Sequence, residues 1–179
     1  RAMNGELDFE AALRERVGLL KGLPEGVIAK VLRDRITLMP GGETLLKTMK
    51  ANGGHAALVS GGFTAFAAEV ARRLGFDETR ANTLLVKAGV LLGSVADPIL
   101  GKEAKLQALN EISARLGITP GQAIAVGDGA NDLPMLQAAG TGVALHAKPR
   151  VQAECAVRVN HGDLTALLYL QGYAREEFA

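Results

Sequence analysis

The chain has 179 residues, of which 48% are hydrophobic and 22% are charged, and its formal net charge is +1 at pH 7. This length suits one domain with a sizeable core, and the absence of a dense Lys/Arg cluster argues against nucleic acid or an anionic membrane surface as a partner. No apolar run approaches the roughly 20 residues that a membrane span needs. A single cysteine, Cys155, excludes an internal disulfide and fits a reducing, cytoplasmic location.

The first predicted elements are all helices. Apolar residues recur at helical spacing over 9–20, and a Gly/Pro break separates this helix from a second over 25–35. A third helix is predicted over 40–52. We expect residues 1–38 to form a small helical cap and residues 39–179 to form a core.

From residue 56 onward, strands and helices alternate. The continuous apolar run at 56–60 is typical of a strand that is buried on both faces of a parallel sheet. The elements predicted after it are a helix over 63–74, a hairpin over 83–93, a helix over 102–116, strands over 122–127, 141–145 and 156–159, short helices over 132–139 and 148–154, and a last helix from Leu164. This alternation predicts an α/β fold with a doubly wound parallel sheet.

Polar residues crowd the end of the strand predicted over 122–127, where the chain reads GDGAND. Ligands of open α/β sheets bind beyond the carboxyl ends of the strands, and a bare carboxylate there suits a hard cation such as Mg²⁺. Asp128 is therefore the expected metal ligand. Asn131 suits a bound anion, and Asp132 either caps the next helix or holds a metal-bound water.

A second loop, Ser60-Gly61-Gly62, follows the strand at 56–60. A hydroxyl, glycine amides and a helix N-terminus together suit an anion. The same residues also suit an ordinary turn between a strand and a helix, so the loop alone leaves both interpretations open.

Two cations lie at apolar helix faces. Lys105 begins a stripe that continues with Leu109, Ile112 and Leu116, so its ammonium group either extends along the stripe to water or points into a cleft. Arg16 lies beside an apolar face of the first helix and is either a solvated edge residue or a ligand-binding group.

Three segments resemble motifs of the haloacid dehalogenase superfamily: VSGGF at 59–63, the lysine of EAKLQAL at 103–109, and VGDGANDLPM at 126–135. The stretch RAMNGELDFEAALRERVGLLKGLP at 1–24 is more specifically similar to the cap of the phosphoserine phosphatases in that superfamily. The resemblance covers essentially the whole chain. It implies a Mg²⁺-dependent hydrolase of serine biosynthesis that cleaves O-phospho-L-serine through an aspartyl-phosphate intermediate.

The resemblance also implies a role for each matching residue. The phosphoryl group would be bound by Ser60, Gly61, Lys105 and Asn131, with Lys105 as the catalytic cation. Mg²⁺ would be held by Asp128, with Asp132 in a supporting position. The substrate would be contacted by Met3, Phe9 and Arg16, of which Arg16 would pair with the carboxylate. The protein would act as a monomer or homodimer on a small molecule.

The sequence departs from the superfamily in its first motif, an Asp-x-Asp strand end that supplies the nucleophile and the acid/base aspartate. No two aspartates of this chain flank a single residue. We expect that motif, and the central strand that carries it, upstream of Arg1, and we expect the 179 residues alone to be inactive. Two alternatives remain: a phosphatase for another small phosphomonoester, and a phosphate- or metal-binding domain that has lost its nucleophile.

Overall fold

A computed structural model describes residues 9–179, apart from the side chain of Lys102. The chain divides into two compact units. The first unit takes the described residues up to Glu15 together with Pro98–His161, and the second takes Arg16–Asp97 together with Gly162–Ala179. The division into a cap over 1–38 and a core over 39–179 remains a prediction.

The helices predicted for the first 74 residues are confirmed. They are α1 (Phe9–Gly18), α2 (Gly26–Arg35), α3 (Gly42–Ala51) and α4 (Thr64–Leu74). Helix α3 begins after Gly41, whose φ of 78° is left-handed and favours glycine. Glycine is also required there sterically, since a Cβ on Gly41 would lie 2.7 Å from the carboxylate of Asp163 in the same unit.

The second unit contains a pair of parallel strands, β1 (Ala57–Phe63) and β2 (Glu78–Asn82). β1 was expected to end at Ser60, but it continues to Phe63 with an irregular register after Val59. The expectation that β1 is buried on both faces is wrong, because each of its residues is only half-buried. Among the described residues β1 pairs only with β2, which leaves its other edge without a strand to cover it.

A β-hairpin follows, as predicted, with strands β3 (Leu84–Lys87) and β4 (Val90–Val95). Its turn is Ala88-Gly89, with φ values of 51° and 74°. Two-residue hairpin turns of the I′ type need positive φ at both central residues, which explains the left-handed alanine. The hairpin belongs to the second unit.

The first unit carries a three-stranded parallel sheet in the order β5-β6-β7. Its elements are α5 (Lys102–Arg115), β5 (Ile124–Gly127), α6 (Leu133–Ala138), β6 (Thr141–Leu145), α7 (Pro149–Glu154) and β7 (Val157–Val159). One hydrophobic cluster joins Ala125 and Ala144 of the strands to Leu136 of α6 and Val151 of α7. Parallel strands linked by helices are the arrangement that the alternating sequence predicted.

The α/β fold class is confirmed, although the parallel strands described here lie in two sheets, β1-β2 and β5-β6-β7. The last helix, α8 (Ala166–Leu170), belongs to the second unit. None of the helices in the described part of the chain is long and apolar enough to cross a membrane.

Candidate functional site

The loop after β5 is closed by one buried carboxylate. Beyond Gly127 the chain makes a short 3-10 turn at Ala130–Asp132 and enters α6. The Asp132 side chain turns back from the end of that turn, and its Oδ2 accepts hydrogen bonds from the backbone N–H groups of Asp128 at 3.0 Å and Gly129 at 2.9 Å. Asp132 is 2% exposed, so this carboxylate fixes the loop from inside the protein.

Lys105 supplies the charge that matches this carboxylate. Its Nζ donates to Oδ1 of Asp132, and the Lys105 side chain is 13% exposed. Helix α5 directs Lys105 inward on the same face as the buried Ala108 and Ile112. This position excludes the interpretation that Lys105 extends along the apolar stripe to water. The interpretation that it points into a cleft remains a prediction. The apolar stripe was drawn one residue too long, because Leu116 at its end is 41% exposed.

Both oxygens of Asp132 are therefore engaged within the protein. The expectation that its side chain caps α6 is wrong, because the cap of α6 has no side-chain hydrogen bond and the carboxylate binds the preceding loop instead. Asp132 fixes the backbone around Asp128 and the position of the Lys105 ammonium group. Its supporting position at a metal remains a prediction.

Gly127 makes this close approach possible. A Cβ at this residue would lie 2.5 Å from both Cβ and Cγ of Asp132 and 2.7 Å from its Oδ2. Contacts of this length between non-bonded carbon atoms are not tolerated in close-packed interiors. Glycine at the end of β5 is thus required by the packing of Asp132, which lies four positions later.

Asp128 offers a carboxylate at the carboxyl end of β5. Its backbone N–H donates to Asp132 and its backbone carbonyl accepts from the N–H of Lys148 at 3.0 Å. The side chain is exposed, and no residue in the range 9–179 is hydrogen-bonded to its carboxylate. Mg²⁺ in phosphate-handling sites is held by one or two carboxylates together with water and phosphate oxygens, so Asp128 fits this cation. Asn131 lies half-buried in the same loop.

The segment Ser60-Gly61-Gly62 is the irregular end of β1 and not a loop outside it. The Oγ of Ser60 accepts the N–H of Gly62 at 3.0 Å. Asn82 of β2, which is 2% exposed, donates its Nδ2 to the carbonyl of Gly61 at 3.0 Å. The sequence analysis missed Asn82, and the only signal for it was its place at the end of a strand that was itself missed.

For the residues that were expected to contact the substrate, the structure gives position and exposure only. Arg16 lies on the exposed side of the last turn of α1, beside the buried Leu13 and Val17. Phe9 is half-buried and belongs with Lys105 to the first unit, whereas Met3 lies outside the described residues. Their substrate contacts remain predictions.

The structure brings together part of the expected set. The first unit contains Lys105, Asp128, Asn131 and Asp132, while the second contains Ser60, Gly61 and Arg16. The first group forms one connected arrangement, in which a buried lysine–aspartate pair holds a loop that presents a carboxylate.

Comparison with known proteins identifies the family. A model of the haloacid dehalogenase-like hydrolases matches residues 2–137. The chain belongs to this family. Within the family it resembles phosphoserine phosphatases: the enzyme of Streptomyces coelicolor is 46% identical over 98% of this chain and 43% of its own length, and that of Polaromonas sp. is 46% identical over 94% of this chain and 74% of its own.

Solved structures agree with this assignment. A substrate-bound phosphoserine phosphatase complex matches with a TM-score of 0.89 and 40% identity, over 94% of this chain and 80% of that one. A phospho-aspartyl intermediate analogue of phosphoserine phosphatase matches with a TM-score of 0.88 and the same coverage. The predicted family and fold are confirmed. The chain spans less than half of the Streptomyces relative and about three quarters of the Polaromonas one.

Proposed function

We propose that the protein is a cytoplasmic, Mg²⁺-dependent phosphatase that hydrolyses O-phospho-L-serine to L-serine and phosphate. The observation that carries this proposal is the arrangement after β5, in which the Lys105–Asp132 pair holds a loop that exposes the Asp128 carboxylate. The named activity of relatives that are 46% identical supports the choice of substrate.

Lys105 is suited to neutralising a phosphoryl group. An ammonium group has three N–H donors, and one of them is used by Asp132. The donors that remain are available to phosphoryl oxygens, and their position is fixed by the buried carboxylate. A preorganised cation of this kind stabilises the charge that develops during phosphoryl transfer. Asn131 would orient the same group from the neighbouring loop.

Asp128 would hold the metal through its exposed carboxylate. Mg²⁺, when bound, neutralises the phosphoryl charge as a Lewis acid. Asp132 would act indirectly, because its oxygens already bind Lys105 and the amides of the loop. In the second unit, Ser60 and the backbone of Gly61 would bind the phosphoryl group.

The nucleophile is the part that this chain does not supply. Covalent phosphoryl transfer to an aspartate needs that carboxylate beside an acid/base group, and no Asp-x-Asp pair occurs among these residues. We therefore propose that a polypeptide of these 179 residues releases no phosphate by itself. A phosphate-release assay of that polypeptide tests this part, and turnover above the background rate would refute it.

The metal role is tested by Asp128→Asn in the full-length natural protein, with phosphate release from O-phospho-L-serine measured against MgCl₂ concentration. Because loss of a Lewis acid costs several kcal/mol of transition-state stabilisation, we expect kcat to fall on the order of 100-fold. Asp34→Asn is the matched control, since Asp34 lies on the surface of the second unit and pairs with its neighbour Arg33. Near-normal turnover of the Asp128 variant would contradict the assignment.

The substrate is tested by Arg16→Ala. A guanidinium group that pairs with a carboxylate contributes about 1.5–3 kcal/mol, so we expect kcat/KM for phosphoserine to fall about 10- to 100-fold. Turnover of p-nitrophenyl phosphate, which lacks a carboxylate, should be little changed. Arg14→Ala, which changes another exposed arginine of the same helix, is the control. Equal losses on both substrates would favour another phosphomonoester as the natural substrate.

A further inference from the structure

A left-handed residue lies at the end of β6. Two non-glycine residues of the described chain have positive φ, Ala88 at 51° and His146 at 45°. The turn of the β3-β4 hairpin requires the first. His146 follows a parallel strand, where no hairpin demands this backbone conformation. Non-glycine residues persist in this region only when the surrounding structure holds them there, and they cluster at functional sites.

Hydrogen bonds or packing fix each residue of the segment His146–Lys148. The N–H of His146 donates to the carbonyl of Val159 in β7 at 2.8 Å. Ala147 is 6% exposed and packs in the hydrophobic cluster of the first unit, and its carbonyl accepts the Nε2 of Gln152 at 2.7 Å. The N–H of Lys148 donates to the carbonyl of Asp128 at 3.0 Å. These contacts stabilise the left-handed turn and direct the backbone N–H of Lys148 toward the loop after β5.

We propose that the segment His146–Lys148 positions Asp128 for Mg²⁺, which makes His146 and Lys148 positioning residues for the metal ligand. The peptide groups on both sides of the Asp128 Cα are held, one by Asp132 through the N–H and the other by Lys148 through the carbonyl. With both held, the Cα–Cβ bond of Asp128 leaves the strand end in one fixed direction, which limits the positions that its carboxylate can reach. This inference rests on the proposed metal role of Asp128.

Lys148→Pro breaks the hydrogen bond. Lys148 has φ −62° and ψ 148°, which are values that proline adopts without strain. The substitution removes the N–H donor and places the ring Cδ against the Asp128 carbonyl, which must move away. Lys148→Ala is the matched control, because it removes the same side chain and keeps the donor. Calorimetric titration of the full-length protein with MgCl₂ should give a Kd about tenfold higher for Lys148→Pro than for Lys148→Ala. Equal Kd values for the two variants would overturn the proposal.

The left-handed turn is tested by a second pair of variants. His146→Val places a β-branched residue at positive φ, where β-branched residues are strained. His146→Asn keeps a residue type that tolerates positive φ. We expect His146→Val to raise the Mg²⁺ Kd. In His146→Asn the Kd should stay within about twofold of the wild-type value. Ala88→Val introduces the same strain in the hairpin of the other unit and should leave the Mg²⁺ Kd unchanged. A similar loss in the Ala88 variant would overturn the proposal.

Phosphoserine turnover separates this inference from the proposed function. If the wild-type protein binds Mg²⁺ and the two Lys148 variants differ in Kd, the positioning role holds even when no phosphoserine is hydrolysed. If phosphoserine is hydrolysed and the Lys148 variants share one Kd, the proposed function holds and the positioning role fails. A wild-type protein that binds no Mg²⁺ would refute both the inference and the metal role on which it rests.

Discussion

The ends of β1 and β5 are both rich in glycine, yet different interactions hold them. After β5, a buried carboxylate binds two loop amides and the partly buried ammonium group of Lys105. At the end of β1, a serine hydroxyl binds one amide and an asparagine amide binds one carbonyl. The β5 loop therefore depends on a matched pair of charges, and the β1 end depends on neutral hydrogen bonds. Similar sequences at strand ends can thus differ greatly in how much a single substitution costs.

The largest effect should follow from Asp132→Asn. This change keeps the shape of the side chain but leaves the Lys105 ammonium group without its counter-charge in a buried position. Breaking a buried ion pair costs about 3–5 kcal/mol, which urea unfolding would measure as a lower free energy of unfolding. The double variant Lys105→Met/Asp132→Asn should recover part of the loss, because no unpaired charge is then buried. A loss below about 1 kcal/mol in the single variant would mean that charge does not hold the loop.

Glycine-to-alanine variants compare the two strand ends directly. In Gly127→Ala the new Cβ would lie 2.5 Å from Asp132 atoms, whereas in Gly62→Ala it would meet only the Ser60 Oγ at 3.1 Å. We expect Gly127→Ala to cost about 1–3 kcal/mol by overpacking and Gly62→Ala to cost less, since a hydroxyl can rotate away. Thermal unfolding of both variants decides the order, and the reverse order would contradict the steric argument.

A smaller effect is expected for Ser60→Ala. The Gly62 N–H would lose its acceptor, and a neutral hydrogen bond contributes about 0.5–1.5 kcal/mol. Ser60→Thr keeps the hydroxyl in a strand and serves as the control. Unfolding in urea measures both variants. If Ser60→Ala were as costly as Asp132→Asn, the contrast between the two strand ends would disappear.

The smallest effect concerns pH. Asp163 holds its own loop by accepting from the hydroxyl and the backbone N–H of Thr165, and these donors lower the pKa of its carboxyl group. A lowered pKa contributes stability above the unfolded pKa of about 4, and this contribution is lost as the pH falls through the folded pKa. Asp163→Asn should therefore reduce the loss of stability on acidification below about pH 4. Unchanged acid unfolding curves would show that this carboxyl group makes no such contribution.

Most helices and strands could be predicted from the sequence, because their apolar residues recur with helical or strand spacing. Strand β6 was predicted with the bounds Thr141–Leu145 that the structure has. Strand β2 was missed because its sequence, ETRAN, is polar and gives no strand signal. Its conformation is stabilised by pairing with β1, a contact between distant residues that local pattern cannot reveal.

For the site, residue types were easier to predict than their contacts. Helical spacing placed Lys105 at the apolar face of α5 but left its direction open. Its partner could not be predicted either, since the ion pair joins α5 to a loop 27 residues later. The cap of α6, which was one of two alternatives for Asp132, failed for the same reason: a carboxylate at a helix start suggests a cap, but here it binds backwards to Asp128 and Gly129. The left-handed conformation of His146 has no signature in the sequence at all.

The packing of Gly127 against Asp132 also has a consequence for how the chain can vary over generations. Any side chain at residue 127 would collide with Asp132, a shorter residue at 132 would strand the charge of Lys105, and loss of that charge would leave Asp132 unmatched. Replacement of Gly127 or Lys105 is penalised through Asp132, and replacement of Asp132 is penalised through Lys105, so the effects are not additive. We expect these three residues to be inherited as a set among descendants of this chain, and to be lost together when the set is abandoned.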